Sequence, residues 1–315
     1  MANVTPDVVT LGEAMVVIRP VDDAPVTEAP SFLMGVAGTE SNLAVGLARL
    51  GHRVSFTGRV GSDAAGVRVR RTLQGEGVNV TGLRTVPGAS TGLLVRDATG
   101  SRGISVDYHR FGSAGSTLSP EDVEVGQIGS AEFLFVTGLT CALSDAANRA
   151  VRCAVEAARR NGTRVVLDPN LRSKLGDAKT WSSLLRPLLP SADILIGSAS
   201  ELRTATAASS DDDAVSQAFN AGVDLVVIRS GTEPIRIVTR QVSTEIQVEA
   251  VTPLDPVGAG DAFSAGLVSG LLDELPVAEA VDRAVVVARH CVLVRGDIEG
   301  LPTRDQLIAN VEVAR

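Results

Sequence analysis

Short, uninterrupted apolar runs alternate with helical patterns along most of the chain. The runs Val8–Gly12, Phe133–Gly138, Val165–Asp168, Ile194–Ser198 and Leu225–Arg229 each end in or beside Gly, Asp or Ser. Around them, Asn42–Leu50, Ser144–Asn161 and Val277–Val294 carry apolar residues at helical spacing. Strands that are apolar throughout read as buried on both faces. Their alternation with helices predicts an α/β fold with a central, mostly parallel sheet flanked by helices. In such sheets ligands bind beyond the carboxyl ends of the strands. Those ends are Gly138, Asp168, Ser198 and Ser230, with the loop Gly258–Asp261 beyond them.

Two early segments break the alternation. Residues 14–36 hold little helical period and have Pro20, Pro25 and Pro30 within them. Residues 90–111 read as a hairpin with Asp97–Gly103 as its turn. In its second arm Ile104, Val106, Tyr108 and Arg110 share one face by period-2 alternation, and His109 points the other way. Together the two segments predict a small β-sheet beside the main domain, placed as a lid over a ligand crevice.

Composition narrows the class. The chain has 315 residues, 44% hydrophobic and 21% charged, enough for a large core. The net charge of −8, with no block of Lys or Arg, argues against nucleic acid or an anionic membrane as partner. Cys141, Cys153 and Cys291 are too few and too widely spaced for a disulfide framework or a zinc site, so a reducing, cytoplasmic setting is expected. The first residues, Met1–Asp7, have neither a basic region nor a following apolar stretch, and no signal peptide is expected. No apolar run approaches the roughly 20 residues of a membrane span.

The stretch with most chemistry is Asp255-Pro256-Val257-Gly258-Ala259-Gly260-Asp261-Ala262-Phe263. It follows the strand-like segment Ile246–Val251 and opens the helix-like segment Ala262–Leu272. Two glycines and an alanine at a helix start present backbone N–H groups, which with the helix dipole hold an anion such as phosphate. Asp261 places a carboxylate beside that anion site. One use for such a juxtaposition is phosphoryl transfer, with Asp261 taking the proton of an attacking hydroxyl. The plainer alternative is a strand-to-helix turn with Asp261 as a surface cap. Neither a Gly-x-x-x-x-Gly-Lys-Ser/Thr loop nor a Gly-x-Gly-x-x-Gly after a strand occurs; Phe263 stands where the last glycine of the latter would be.

The extended string Asp-x-x-Gly-Ala-Gly-Asp-Ala-Phe resembles the signature of the ribokinase-like (PfkB-type) carbohydrate kinases. Gly35-Val36-Ala37-Gly38-Thr39-Glu40-Ser41-Asn42 and Arg59-Val60-Gly61-Ser62-Asp63 continue the match, which runs from Gly12-Glu13 to Gly300. The resemblance implies one kinase domain over residues 1–315, with lid segments at about 14–36 and 90–111. It implies ATP and Mg²⁺ as cofactors, Asp261 as base, and Gly258, Ala259 and Gly260 as the anion hole. Within the family, Tyr108–Ser116, Asp168–Arg172 and Arg295–Gly300 look like stretches of 2-keto-3-deoxygluconate kinases.

That likeness implies a substrate site of Gly38, Tyr108, His109, Arg110, Asn170, Arg172, Asp261 and Asp297. A guanidinium is a planar fork suited to a carboxylate, so Arg110 and Arg172 together would clamp a sugar acid. Each Arg could equally be an ordinary surface or ion-pair residue. By itself Tyr108 also reads as packing on a half-buried strand, and Asn170 as a helix cap. On the nucleotide side the resemblance points to Ser198, Glu201, Arg229, Ser230, Gly231 and Pro234 along with Gly258 and Gly260, and to Glu201 for the metal. Glu201 also fits a first-turn helix carboxylate. Four positions depart from the family pattern: Leu94 where a Tyr is typical, Ser198 where an Asn opens an Asn-x-x-Glu element, Pro234 where a glycine is common, and Val285 where an Asn is common.

The sequence thus predicts ATP-dependent phosphorylation of the terminal primary hydroxyl of 2-keto-3-deoxygluconate. The alternatives are a kinase for a neutral ketose such as fructose, or an inactive sugar sensor on the same fold. A homodimer or higher homo-oligomer, clasped through the lids, is expected because a bare edge strand invites pairing.

Overall fold

The computed structural model describes residues 5–22, 24–97, 105–229, 231, 233–249 and 251–307 of the chain. In chain order the strands are β1 (Val8–Leu11), β2 (Met15–Pro20), β3 (Phe32–Ala37), β4 (Val54–Gly61), β5 (Leu83–Val86), β6 (Leu93–Arg96), β7 (Val106–His109), β8 (Phe133–Thr137), β9 (Arg164–Asp168), β10 (Ile194–Gly197), β11 (Leu225–Ile228), β12 (Ile235–Thr239) and β13 (Ser243–Ile246). The helices are α1 (Thr39–Arg49), α2 (Ala64–Gly75), α3 (Val125–Ser130), α4 (Gly138–Cys141), α5 (Asp145–Asn161), α6 (Ala178–Leu185), α7 (Ala199–Thr206), α8 (Asp211–Ala221), α9 (Ala259–Leu272) and α10 (Val277–Val292). The chain divides into two compact units, Met1–Leu11 with Ser119–Ala250, and Gly12–Leu118 with Val251–Arg315.

The first unit is built on strands in the order β13-β12-β11-β10-β9-β8-β1. From β1 to β11 they pair in parallel, and β12 and β13 add an antiparallel edge. Every residue of β1, β8, β10 and β11 is buried, as the continuous apolar runs require of a sheet covered on both faces. Helix α5 shows why the crossovers form where they do. Ser144 caps it by accepting from the Ala147 amide, Asp145 lies in its first turn, and Arg159 and Arg160 lie in its last. Each charge opposes the helix dipole at its own end.

Several strand ends differ by a residue or more from the sequence reading, and two of them show why. Strand β8 stops at Thr137, whose hydroxyl accepts from the Thr140 amide and starts α4 at Gly138. Within Ile246–Val251, the described residues after Ile246 form no strand, since β13 already ends there. Ile246 pairs with Ile235, the first residue of β12, and the residue before it is Pro234, which has no N–H to continue the ladder.

The second unit holds a parallel pair, β4 and β5, and a separate four-stranded sheet in the order β3-β2-β6-β7. Both irregular segments of the sequence supply this small sheet: β2 and β3 are antiparallel, β2 and β6 parallel, β6 and β7 antiparallel. Met15, Val17, Ala37 and Leu94 form its core, with Val106 and Tyr108 packed against them. Residues 98–103 of the anticipated turn, and Ile104, lie outside the described residues. Helix α9 is buried continuously from Asp261 to Gly270, so it is enclosed all round rather than on one stripe, and it packs along α1 and α10.

Candidate active site

Gly258 sets the geometry of the loop that precedes α9. Its φ is +82°, in the left-handed region, and a Cβ there would lie 2.7 Å from the Asp297 carbonyl oxygen. Only glycine meets both conditions without strain. The turn starts α9 at Ala259, and the Ala262 amide donates to the Gly258 carbonyl at 2.8 Å. The first-turn amides therefore sit at the positive end of a buried helix. Asp261 lies in that turn and is 7% exposed. It is not the surface cap of the plainer reading. Asn42 of α1 donates from Nδ2 to Asp261 Oδ2 at 2.8 Å, which orients the carboxylate from a second element.

The loop is held from both sides. Buried Asp255 accepts from the Val257 amide (3.2 Å), the Gly296 amide (3.0 Å) and the Arg96 guanidinium (2.6 Å). Burial pushes the Asp297 carboxyl up to about 7, with Arg96 opposing the shift and Asp261, Glu299 and Asp255 adding to it. Beneath the loop lies the Cys291 thiol, 3.7 Å from the Val257 carbonyl oxygen. Burial, then the neighbouring carboxylates, push that thiol up to about 12, so it is not a nucleophile.

A second group forms around Glu13. Arg110 donates from Nε to Glu13 Oε2 at 2.8 Å, its NH2 lies 2.5 Å from the same oxygen, and Ser113 Oγ donates to Oε1 at 2.5 Å. Glu13 is 2% exposed. Arg110 is therefore not a bare fork, because one edge of its guanidinium is held by a buried carboxylate. The guanidinium carbon also stands 5.5 Å from the Tyr108 ring centroid. His109 is exposed, as alternation required, and Leu94, opposite Tyr108, is buried in the small-sheet core. Gly38, with φ +143°, precedes α1, and a Cβ there would lie 2.3 Å from the Glu13 carbonyl oxygen. It serves close backbone packing beside Glu13.

The remaining candidates belong to the first unit. Asp168, at the end of β9, is fully buried and accepts from Arg229 NH2 at 2.8 Å. Burial raises its pKa, Arg229 opposes, and Glu201 adds to the rise. Asn170 follows in a left-handed conformation (φ 42°), with its amide donating to Asp168 Oδ1, so it is not a helix cap. Its Oδ1 is buried without a hydrogen-bond partner. Arg172 is exposed and donates to the Leu171 carbonyl. Glu201 closes a capping box with Ser198 and also accepts from the Leu171 amide. No cluster of three or more His, Cys, Asp or Glu residues able to hold a metal occurs among the described residues. Gly231 is exposed, Pro234 half-buried, and Val285 half-buried on α10. Ser230 lies outside the described residues.

Sequence reasoning missed the roles of Asn42, Glu13 and Arg96. Only Arg96 had a local signal: it is the charge that closes the apolar run Leu93-Leu94-Val95, next to Asp97.

A glycine-turned helix start with a buried, side-chain-oriented Asp in its first turn is the setting the sequence motif called for. The profile of the pfkB family carbohydrate kinases matches residues 5–304. The chain belongs to this family. It is an enzyme of the ATP-dependent sugar kinase class with a ribokinase-like fold. A Bacillus subtilis 2-dehydro-3-deoxygluconokinase is 32% identical, with 98% of this chain and 96% of that protein covered. One from Thermoproteus tenax is 33% identical over 94% of this chain and 91% of its own. Among solved structures, a PfkB protein from Polaromonas sp. JS666 has a TM-score of 0.87 and 31% identity, covering 96% of this chain and 99% of that one. A fructokinase with bound ATP from Xylella fastidiosa has a TM-score of 0.85 at 22% identity, covering 98% and 99%, and shows the fold alone. No described helix of this family member is long and apolar enough to cross a membrane.

Proposed function

We propose that this kinase transfers the γ-phosphoryl group of ATP to the terminal primary hydroxyl of 2-keto-3-deoxygluconate. The observation that carries the chemistry is the buried Asp261, oriented by Asn42 in the first turn of α9. In this reading Asp261 orients and deprotonates the hydroxyl, and the amides at Gly258, Ala259 and Gly260 receive the charge of the moving phosphoryl group. The buried, partnerless oxygens of Asn42 and Asn170 suit groups that meet a polyhydroxylated ligand. Bound ATP supplies the phosphoryl group and Mg²⁺ neutralises its phosphates. Ser198, Glu201, Arg229, Ser230, Gly231 and Pro234 are assigned to the nucleotide side on the resemblance, and Glu201, with both oxygens already in hydrogen bonds, reaches a metal most readily through water.

The acid end of the substrate is assigned to Arg110. Glu13 takes the Nε–NH2 edge, which leaves NH1 without a partner among the described residues. A carboxylate meets a guanidinium there at a fixed angle, and Tyr108 lies beside it. The assignments of Arg172, His109 and Asp297 to the substrate rest on the resemblance, and the 2-dehydro-3-deoxygluconokinases among its relatives favour the same sugar acid. A coupled ADP assay across sugar acids and neutral sugars tests the whole. Replacing Arg110 by Ala is expected to raise the KM for the sugar acid by about 10- to 100-fold, the loss of one charge-assisted contact. A neutral ketose turned over faster than any acid, with KM unmoved by R110A, would assign the site to neutral sugars. Silence with every sugar favours a sensor.

The proposal includes a cytoplasmic homodimer. Phe32, Leu33 and Met34 are consecutive, apolar and 42–46% exposed on the edge strand β3. Such an edge pairs readily with a second copy. Light scattering at micromolar concentration should give a dimer for the native chain and a monomer for Leu33→Glu; a native monomer removes this part.

A further inference from the structure

Arg96 is the bulkiest fully buried side chain among the described residues, at 1% exposure. Its guanidinium donates from NH2 to Asp255 Oδ2 at 2.6 Å and from NH1 to Asp255 Oδ1 at 3.4 Å, and NH2 also lies 3.4 Å from Asp297 Oδ1. It thus bridges two buried carboxylates, and Asp261 and Glu299 also act on the Asp297 carboxyl. Its Nε is buried without a hydrogen-bond partner.

Stability alone is a poor account of this arrangement. A buried ion pair is often no better than an apolar replacement of similar size, and an unpaired buried donor carries a further cost. The placement suggests a use instead. Asp255 begins the loop that carries Gly258, and Asp297 is the residue whose carbonyl packs against Gly258. The guanidinium therefore grips both segments that keep the loop in its left-handed turn. Arg96 also belongs to the hairpin of Tyr108 and Arg110: β6 pairs with β7, with Arg96 opposite Val106 and Leu94 opposite Tyr108.

We propose that Arg96 is a positioning residue for phosphoryl transfer, fixing Asp255 and Asp297 so that the Gly258 turn and the first turn of α9 hold Asp261 in place. The same cation ties that turn to the hairpin assigned to the sugar. The inference rests on Asp261 being the base. Positioning of this kind acts on the chemical step rather than on uniform binding, so its loss should appear in kcat and much less in KM.

The test uses the full chain with Arg96→Met and Arg96→Lys, assayed with a sugar that the native enzyme turns over. For Arg96→Met, kcat should fall on the order of a hundredfold with KM for ATP and sugar within about threefold, and Arg96→Lys should recover about tenfold of that loss while staying well below native. Hydrogen exchange, which needs no substrate, should quicken in peptides spanning 255–261 and 296–298 and stay unchanged in α5. Native kcat in Arg96→Met, or a loss accounted for by its unfolded fraction, overturns the proposal. If Arg96→Met does not fold, Arg96→Lys decides: native kcat with native exchange refutes the role. Should Asp261→Asn prove active, the base assignment fails, while the exchange result still reports separately whether Arg96 fixes the loop.

Discussion

Replacing Asp261 by Asn is expected to lower kcat by on the order of a thousandfold or more, the contribution of a positioned base, while ATP still binds. The replacement has the same shape and keeps an oxygen to accept from Asn42 Nδ2, so the contact between α1 and α9 survives. What disappears is the basic carboxylate oxygen proposed to take the hydroxyl proton. Removing a negative charge beside the anion site should leave nucleotide affinity equal or tighter, because like charges oppose each other there. Single-turnover rates with titration calorimetry of ATP separate the two effects. An Asp261→Asn enzyme with native turnover would take the base role from Asp261.

Gly258→Ala should produce the second large effect. An alanine at φ +82° pays for a left-handed backbone, and its Cβ would sit 2.7 Å from the Asp297 carbonyl oxygen and 3.3 Å from the Cys291 sulfur. The turn must open, and the first amides of α9 move with it. Losing an oriented donor costs about a hundredfold or more in kcat. The stability cost of one strained residue is about 1–3 kcal/mol, a fall of several degrees in Tm for a chain of this size. Kinetics and calorimetry together should thus show an activity loss far out of proportion to the melting shift. Native kcat in this variant would detach the loop geometry from the chemistry.

Much of this molecule was legible in its sequence, for reasons visible in the structure. The runs at β8, β9, β10 and β11 were plain because sheets covered on both faces need apolar residues at nearly every position. The loop before α9 was plain because turn, helix start and acid follow one another within seven residues. The supports of that loop were not legible. Asn42 reaches Asp261 across 219 positions, Arg96 reaches Asp255 across 159, and Arg110 reaches Glu13 across 97. No periodicity links such partners; tertiary packing alone brings them together. Arg110 shows the cost of this most clearly: it falls just past the end of β7 at His109 rather than on the strand, and the buried acid that holds it was invisible. The end of β13 shows the same at backbone level, where Pro234, just before the neighbouring strand β12, has no N–H to continue the ladder.

The sulfur of Cys291 has a practical consequence. A thiol held protonated up to about 12 offers electrophiles and peroxide almost no thiolate at neutral pH, so the sulfur beneath the Gly258–Asp261 loop resists alkylation and oxidation. Cys141 is buried as well, whereas Cys153 on α5 is half-exposed. A maleimide dye offered to the folded enzyme would therefore tag Cys153 on α5 and leave Cys291 unmodified.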